Sequence, residues 1–376
     1  MGSPVTTFIP KNLLFKSLIC LIIFSSLPSR ANESSLPMHG FADVNLSSGS
    51  KADPDQNRGF SLGAFDLYFT PNFNNRARAL IEFVIEPEDG AYVTEVERLQ
   101  IGYLFSDKLM VWLGRFHTPY GYWNTAFHHG QQIQTSSMRP RFLDFEDNGG
   151  IFPSHSVGVL LTGSGKTSIG RFSYDGYFAN GSSIIDEEQN PNIEKDDNSN
   201  GMVGFNTSIT LSRFIKNLRL GLHGWMQKVS AYTTLTAPAE GLSLDNTTDT
   251  QVYGGYIQYE DRGLEIISEY YQLADKNVST GANDSTVRNS SAFFVQTAFV
   301  GKRFTPFIRY ETTNLDLRDP YISSQRSGVS YGLEAIGVRY VVDEYSVLKI
   351  EFAHTEQFSA GGVKYNLGKV QYAIRF

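Results

Sequence analysis

Sixteen segments of this sequence place apolar or aromatic side chains at every second position. A period of two is the spacing of a β-strand whose two faces meet different surroundings. In 218–226, for example, leucines and a methionine occupy one parity, while Arg219, His223 and Trp225 lie on the other. The segments lie near residues 38–47, 59–70, 76–86, 93–105, 109–117, 156–163, 167–180, 202–211, 217–229, 251–260, 263–274, 291–300, 303–313, 331–341, 346–357 and 364–376.

The connections between these segments alternate in length. Those after even-numbered segments are short, namely 71–75, 106–108, 164–166, 212–216, 261–262, 301–302 and 342–345. Most of those after odd-numbered segments are long and polar, namely 49–58, 118–155, 181–201, 230–250, 275–290 and 314–330, whereas 87–92 and 358–363 are shorter. An even strand number, with tight turns on one rim and long loops on the other, is typical of bacterial outer-membrane barrels. The pattern predicts an all-β fold, a transmembrane antiparallel β-barrel of about 16 strands with a long third extracellular loop.

Composition narrows the alternatives. After residue 31 the chain has no apolar run long enough for a helical membrane span, in agreement with its mean hydropathy of −0.25. Its net charge of −7 argues against nucleic acid as a partner. A soluble β-sandwich or propeller is the alternative all-β architecture. Such folds give no reason for strict alternation of short and long connections, so we favour the barrel.

Residues 1–31 have the pattern of a secretory signal peptide. Lys11 and Lys16 precede an apolar core at 17–27, and Ser29 and Ala31 frame a small-residue cleavage site. The apolar core is about half of the roughly 20 residues that a spanning helix needs, which disfavours a membrane anchor. A lipid anchor on the single cysteine is disfavoured because apolar residues follow it. We predict a signal peptide at 1–31 and an outer-membrane β-barrel at 32–376.

Charged residues recur on the second parity of many segments. In a membrane barrel that parity faces the water-filled lumen. We predict that the pore-lining residues are Arg78, Glu82, Arg98, Arg115, His117, Arg171, Arg219, Glu265, Glu269, Arg309, Glu311, Arg339 and Glu351. A barrel of this size encloses an aqueous channel. The expected function is passive diffusion of small hydrophilic solutes or ions, and the mixed charges predict no strong ion selectivity.

The most distinctive stretch is WLGRFHTPYGYWN at 112–124. It resembles the G-[RQ]-F-x-T-P-[FY]-G run of the phosphate-selective porin O/P-like superfamily, in which this run closes a strand and opens a long loop folded into the pore. The resemblance implies an outer-membrane porin and a homotrimer. It does not extend to phosphate selectivity, because 118–155 contains no lysine.

The connection 118–155 is too long to be a plain link between strands, and loops of this length are usually functional or disordered. Its many aromatic residues argue against disorder. We therefore expect this loop to narrow the channel, since rings of charge at a constriction set ion preference. The alternative is a cap over the outer rim. The charged residues expected at the constriction are Arg139 and Arg141 opposite Asp144, Glu146 and Asp147.

Four histidines lie in or beside this loop, at His117, His128, His129 and His155. Adjacent histidines on an extended chain point to opposite sides, so His128 and His129 are poorly placed to share one ion. No cysteine and no close carboxylate spacing supports a zinc site. The sequence favours hydrogen-bonded histidines, and we predict neither a metal nor a cofactor.

The sequence contains no recognisable catalytic motif, so we expect no enzymatic activity. The rival functions are a lipid hydrolase at the barrel rim, for which His354 is the residue to inspect, and an adhesin that presents the long loops. Phe376 lies in the last apolar parity. A terminal strand ending in Phe looks like the signal that the outer-membrane assembly machinery reads. Outer-membrane lipid and lipopolysaccharide are the other expected partners.

Overall fold

The computed structural model describes residues 37–53, 58–88, 91–127, 130–146, 148–190, 200–213, 215–235, 242–281, 286–358 and 362–376. The predicted signal peptide at 1–31 lies outside these ranges, as do His128, His129 and Asp147. The division between signal peptide and barrel therefore stays a prediction.

The described chain is almost entirely β-structure. Its strands are β1 (Met38–Gly49), β2 (Arg58–Phe69), β3 (Ala77–Glu88), β4 (Ala91–Ser106), β5 (Leu109–His117), β6 (His155–Lys166), β7 (Gly170–Ala179), β8 (Ser183–Ile185), β9 (Glu188–Asn190), β10 (Met202–Leu211), β11 (Leu218–Thr234), β12 (Leu242–Asp261), β13 (Leu264–Asn277), β14 (Val287–Phe299), β15 (Phe304–Asn314), β16 (Tyr331–Val341), β17 (Ser346–Gln357) and β18 (Lys364–Arg375). Two four-residue helices, α1 (Trp123–Ala126) and α2 (Pro320–Ser323), and a 3-10 turn at Arg141–Leu143 lie in connections. Within the described ranges, neither helix is long and apolar enough to cross a membrane.

Sixteen of the strands form one closed antiparallel barrel. Each pairs with its neighbours in chain order, β7 pairs with β10, and β18 pairs back onto β1 through positions such as Val44 and Tyr372. The remaining two strands, β8 and β9, form a short hairpin in the connection between β7 and β10. The prediction of an all-β, roughly 16-stranded antiparallel barrel with a long third loop is confirmed.

The two parities of the strands have the environments that the sequence indicates. On β11, Leu222 and Met226 are 63% and 59% exposed on the outside, whereas His223 and Trp225 are buried on the inside. The same alternation recurs on β13 and β15 to β18. A barrel of this kind presents its apolar parity to lipid and its polar parity to the lumen.

The structure differs from the prediction at several connections. β6 runs to Lys166, through the turn expected at 164–166. β11, β12 and β13 extend into segments expected to be loops, pairing as far as Thr234 with Leu242 and Thr248 with Asn277. The extensions of β11 and β12 contain several threonines, which favour strands without adding the apolar alternation that a period-two search detects, and the β13 extension is entirely polar. The three-residue strands β8 and β9 are too short to show a period at all.

A β-bulge interrupts the pairing of β3 with β4. Glu82 pairs with Arg98 and Phe83 with Val96, so Glu97 is an extra residue on β4. A bulge leaves one residue unpaired and re-aims its side chain. Val96 and Leu99 remain exposed on the outer face, whereas Glu97 is only 2% exposed. Sequence alternation alone does not locate Glu97.

Candidate functional site

The connection between β5 and β6, residues 118–154, lies inside the barrel and is called the lumenal loop below. Its chain contacts inward-facing side chains of strands across the lumen. Near its start, the Asn206 amide on β10 donates to the Gly121 carbonyl at 2.9 Å. Further along, Thr135 donates to Glu265 on β13 at 2.9 Å. The described part of the loop therefore occupies the lumen, not the space above the outer rim.

Three wall glutamates accept hydrogen bonds from the backbone of the lumenal loop. Glu269 on β13 accepts from the amides of Tyr122 and Trp123 at 3.1 and 2.5 Å. Glu311 on β15 accepts from the Arg141 amide at 2.8 Å.

The third glutamate, Glu351 on β17, binds the middle of the loop. It accepts from the amide and hydroxyl of Ser137 at 2.7 and 2.9 Å and from the Met138 amide at 3.1 Å. Hydrogen bonds to a charged acceptor are shorter and stronger than neutral ones. The three carboxylates thus fix the loop at three separate points.

Wall cations bind the carbonyl groups of the same segment. Arg309 on β15 donates to the Met138 carbonyl at 2.7 Å, and Arg339 on β16 donates to the Gln132 carbonyl at 3.0 Å. The Lys349 ammonium on β17 donates to the carbonyls of Gln131 and Ser136. Because carboxylates hold the N–H groups and cations hold the C=O groups, the wall binds both polar groups of the loop backbone.

Arg309 also joins two of the glutamates to each other. Its Nε lies 2.7 Å from Glu311, its NH2 lies 3.1 Å from Glu351, and all three side chains are fully buried. A buried charge is tolerated only when it is paired and hydrogen-bonded. This triad meets that condition by combining wall charges with loop backbone.

An aromatic cluster packs the lumenal loop against the wall. Tyr120 lies 5.0 Å from the Trp225 ring on β11, Phe152 stacks on Tyr271 of β13 at 5.0 Å, and Trp123 meets Phe294 of β14 edge-on at 5.7 Å. The members are at most 4% exposed. Aromatic pairs at such separations stabilise beyond the area they bury. This side of the lumen is therefore filled by a packed core.

The connection after β15 packs against the same aromatic cluster. Tyr321 in α2 donates its hydroxyl to the Ile151 carbonyl at 2.5 Å, and Ile322 is fully buried in the cluster. Asp319 caps α2 by accepting from the Tyr321 amide at 3.0 Å. Burial raises the pKa of Asp319, which lies beside the buried Asp275.

The described charged residues of the loop have several kinds of partner. Arg139 is buried, donates to the Leu143 carbonyl at 2.9 Å and lies 4.0 Å from Asp144. Arg141 contacts the Tyr365 hydroxyl on β18. Glu146 accepts from the His155 amide at 3.0 Å. Within the described residues, Arg139 and Asp144 are opposed at 4.0 Å, and the expected constriction by the whole set, which includes Asp147 outside the described residues, stays a prediction.

The predicted pore-lining residues separate by exposure. Six are buried, namely Glu82, Arg115, Glu269, Arg309, Glu311 and Glu351. These six contact the loop or other wall groups, as Arg115 does by donating to the Glu97 carbonyl at 3.1 Å, and the pore-lining assignment of the set stays a prediction. The partly or fully exposed residues are Arg78, Arg98, His117, Arg171, Arg219, Glu265 and Arg339.

Several contact residues escaped the sequence analysis. Lys349 and Gln371 lie on the lumenal parity of β17 and β18, so alternation was a usable signal for both. Tyr271 and Asn206 carry no charge and gave no such signal, although Tyr271 donates to Glu269 at 2.5 Å. Their roles depend on the path of the loop, which alternation does not report.

His354, the residue considered for a rim hydrolase, lies on the outer parity of β17. Its Nδ1 is 2.7 Å from the Asn366 amide oxygen on β18. Within the described ranges, no serine hydroxyl is hydrogen-bonded to the His354 ring. The arrangement therefore contains an oriented histidine without an activated nucleophile beside it.

The sequence and the fold were compared with those of known proteins. No protein-family model matches the sequence, and no curated protein matches it either. Among solved structures, an anion-selective porin from Comamonas acidovorans aligns over 92% of this chain and 100% of its own, with a TM-score of 0.61 and 14% identity. OmpT of Vibrio cholerae, an outer membrane protein in its trimer form, covers 91% and 99% at TM-score 0.58 and 10% identity.

A third similar structure is the outer membrane channel DcaP of Acinetobacter baumannii, which covers 91% of this chain and 97% of its own at TM-score 0.56 and 9% identity. At these identities the likeness concerns the fold. The chain has the closed 16-strand barrel of outer-membrane porins, and this fold indicates the cell outer membrane as its location. The resemblance to the phosphate-selective O/P-like superfamily stays a prediction.

Proposed function

We propose that this protein is an outer-membrane porin through which small hydrophilic solutes and ions diffuse passively. The observation that carries the proposal is a loop bound along one side of a closed barrel by wall carboxylates and wall cations. A chain segment fixed in this way narrows a channel without needing to move. The anion-selective porin and the DcaP channel, which share the fold, support the same assignment.

Within the predicted lining set, the charges left in contact with water support a weak preference for anions, whereas Glu86 and Glu95 place negative charge near the rim of β3 and β4. Among the predicted lining residues that keep some exposure, five are arginines and one, Glu265, is a glutamate. The other glutamates of that set are buried. A lumen lined by one sign of charge concentrates ions of the opposite sign. The mixed charges in the sequence predicted no strong ion selectivity, and the exposure of these residues refines that expectation.

Single-channel recording in planar bilayers tests the function. The wild-type protein should open stable conductance steps of porin size, and replacing 131–148 by a short glycine-serine linker should raise the conductance. His354→Gln, on the outer face, is the matched control and should leave the conductance unchanged. Unchanged conductance after the deletion would contradict the narrowing role. Absence of channels in the wild-type protein, together with lipid hydrolysis, would favour the rim enzyme.

We also infer that the protein catalyses no reaction, which the channel structures with this fold support. A homotrimer is supported by the trimer form of OmpT. Recognition by the assembly machinery through Phe376 is compatible with its position: its backbone pairs with Gly40, and its ring stacks on Phe65 at 5.8 Å. Lipopolysaccharide contact, presentation of the loops as an adhesin and the phosphate-selective affiliation remain to be tested.

A further inference from the structure

Four side chains with metal-binding donor atoms meet at the root of the lumenal loop. His117 ends β5 and His155 begins β6, and these two residues are paired in register. Glu97 reaches them from the bulge on β4, and Glu146 comes from the loop itself. One donor atom from each of Glu97, His117 and His155 lies within 4.8 Å of the others.

All four side chains are withdrawn from solvent. The side chains of Glu97, His155, Glu146 and His117 are 3%, 5%, 9% and 11% exposed. Buried carboxylates are tolerated when they are paired, and here both are paired with His155. A cation bound among the same groups would compensate both carboxylates at once.

The two ring nitrogens of His155 have different partners. Nε2 contacts the Glu97 carboxylate, and Nδ1 lies 3.3 Å from Glu146 Oε1. In metal sites, a ligating histidine almost always gives its second nitrogen to a carboxylate or carbonyl, which fixes the ring and raises its basicity. Glu146 occupies that position, while Nε2 is directed toward Glu97 and His117.

We propose that Glu97, His117 and His155 bind a divalent transition-metal ion of the Zn²⁺ type, with Glu146 as the positioning residue for His155. Two imidazoles and a carboxylate are ligands that Zn²⁺ accepts, and three protein ligands leave a fourth position for water. With bonds of about 2.0–2.1 Å, tetrahedral ligand atoms lie about 3.3 Å apart. In the observed cluster the donor atoms lie within 4.8 Å of one another.

The surroundings of the site favour entry of a cation. Glu86, Glu95 and Glu97 form a second cluster whose carboxylate oxygens lie within 4.8 Å, and Glu95 is exposed. Glu82 lies 3.5 Å from His117 Nε2 on the other side. These carboxylates create a negative potential that extends from the rim to the buried donors.

The ion would join three elements of the barrel. It would connect both ends of the lumenal loop to β4, so that the loop is closed at its root as well as anchored along its length. This goes beyond passive diffusion, because it makes the state of the loop depend on metal supply. Sequence spacing gives the four histidines no cysteine and no close carboxylate, and so predicts no metal; the bulge on β4 brings Glu97 to His117 and His155.

Zn²⁺ titration of the detergent-solubilised barrel, stripped with a chelator, tests the proposal. The wild-type protein should bind one Zn²⁺ per chain, and Co²⁺ substituted for it should give the visible absorption of a tetrahedral site. His117→Gln and Glu97→Gln should each weaken binding by 100-fold or more. Glu146→Gln should weaken it by about 10- to 100-fold, as loss of an outer-shell partner does. Zn²⁺ should also raise the unfolding temperature of the wild-type barrel, since a ligand of the folded state stabilises it.

His354→Gln and Glu334→Gln are the matched controls, because both residues lie on the outer parity and outside the cluster. They should bind Zn²⁺ like the wild type. Circular dichroism and bilayer conductance of each variant show whether the barrel has formed, which separates loss of the site from loss of the fold. The proposal is overturned if the wild type binds no stoichiometric Zn²⁺, or if His117→Gln and Glu97→Gln bind it unchanged.

Discussion

The two sides of the lumen use charged residues in different ways. On the side of β13 to β18, Glu269, Arg309, Glu311 and Glu351 are buried and bound to the loop or to each other. On the side of β7 to β11, Arg171 is exposed and donates to Ser164, and the half-buried Arg219 donates to Thr210 and lies 5.5 Å from the Tyr122 ring of the loop. The same residue types hold a structure on one side and face water on the other. The sign of a side chain's charge and its inward-facing position on a strand therefore do not by themselves show that the residue lines the pore.

The largest effect should come from removing a charge behind the loop. Glu351→Ala leaves Arg309 without one partner and frees the amides of Ser137 and Met138. Breaking one member of a buried ion pair costs about 3–5 kcal/mol. The free energy of unfolding in urea should fall by this amount, and channel recordings should become noisier as the loop loosens. Glu334→Gln, exposed on the outer parity, should change neither quantity, and equal losses in the two variants would contradict the anchoring role.

A smaller effect is expected where only one hydrogen bond is lost. Tyr271→Phe keeps the ring that stacks on Phe152 but removes the hydroxyl donor to Glu269. Glu269 retains the amides of Tyr122 and Trp123, so the expected loss is about 1–2 kcal/mol. Urea unfolding measures it, with Tyr270→Phe on the outer parity as control. A loss as large as that of Glu351→Ala would show that Glu269 depends on Tyr271 more than the contacts indicate.

The pH dependence of stability should distinguish two neighbouring carboxylates in the connection after β15. Burial raises the pKa of Asp319, so between the ordinary Asp value and the raised one the folded chain holds a proton that the unfolded chain has released. Its contribution to stability therefore falls as the pH rises through that window. Hydrogen bonds from Arg318 lower the pKa of Asp316 to about 2, so its contribution is full above the ordinary Asp value and is lost as the pH falls toward 2.

Unfolding temperatures measured across pH test both signs. Asp319→Asn should remove the loss of stability that accompanies a rise in pH through the window. Asp316→Asn should remove only the loss of stability toward acid pH. Identical profiles for the two variants would contradict opposite pKa shifts in the buried Asp319 and the partly exposed Asp316.

The smallest effect on stability should come from the arginines that face water. Arg171→Gln should change the free energy of unfolding by no more than about 0.5 kcal/mol, as substitutions away from packed features usually do. Arg219→Gln should cost somewhat more, because the Arg219 guanidinium lies 5.5 Å from the Tyr122 ring of the lumenal loop. Each should nevertheless shift the reversal potential in a KCl gradient toward cation preference. Arg262→Gln, on the turn between β12 and β13, removes one arginine charge outside the lumen and is the control for each single replacement. A reversal potential equal to the wild type would remove these arginines from the ion path.

The barrel could be predicted from sequence, but most of the site could not. Period-two alternation reports the two surroundings of each strand, so all sixteen barrel strands were located, including β5 (Leu109–His117) and β16 (Tyr331–Val341) with their observed bounds. Which lumenal residues stay in water depends on the path of 118–154, and local patterns do not encode that path. The Glu97 bulge was also missed, because one inserted residue in β4 moves its side chain without a visible change in composition.

The anchoring of the lumenal loop has a consequence for engineering. Glu311, Arg309 and Arg339 bind amide and carbonyl groups that every residue type other than proline provides. Apart from the hydroxyls of Thr135 and Ser137, which donate to Glu265 and Glu351, side chains between Gln131 and Met138 can therefore be exchanged without removing these backbone bonds. Because the wall residues hold the backbone of this segment, its exchangeable side chains are a suitable place to introduce new permeation properties without changing the barrel.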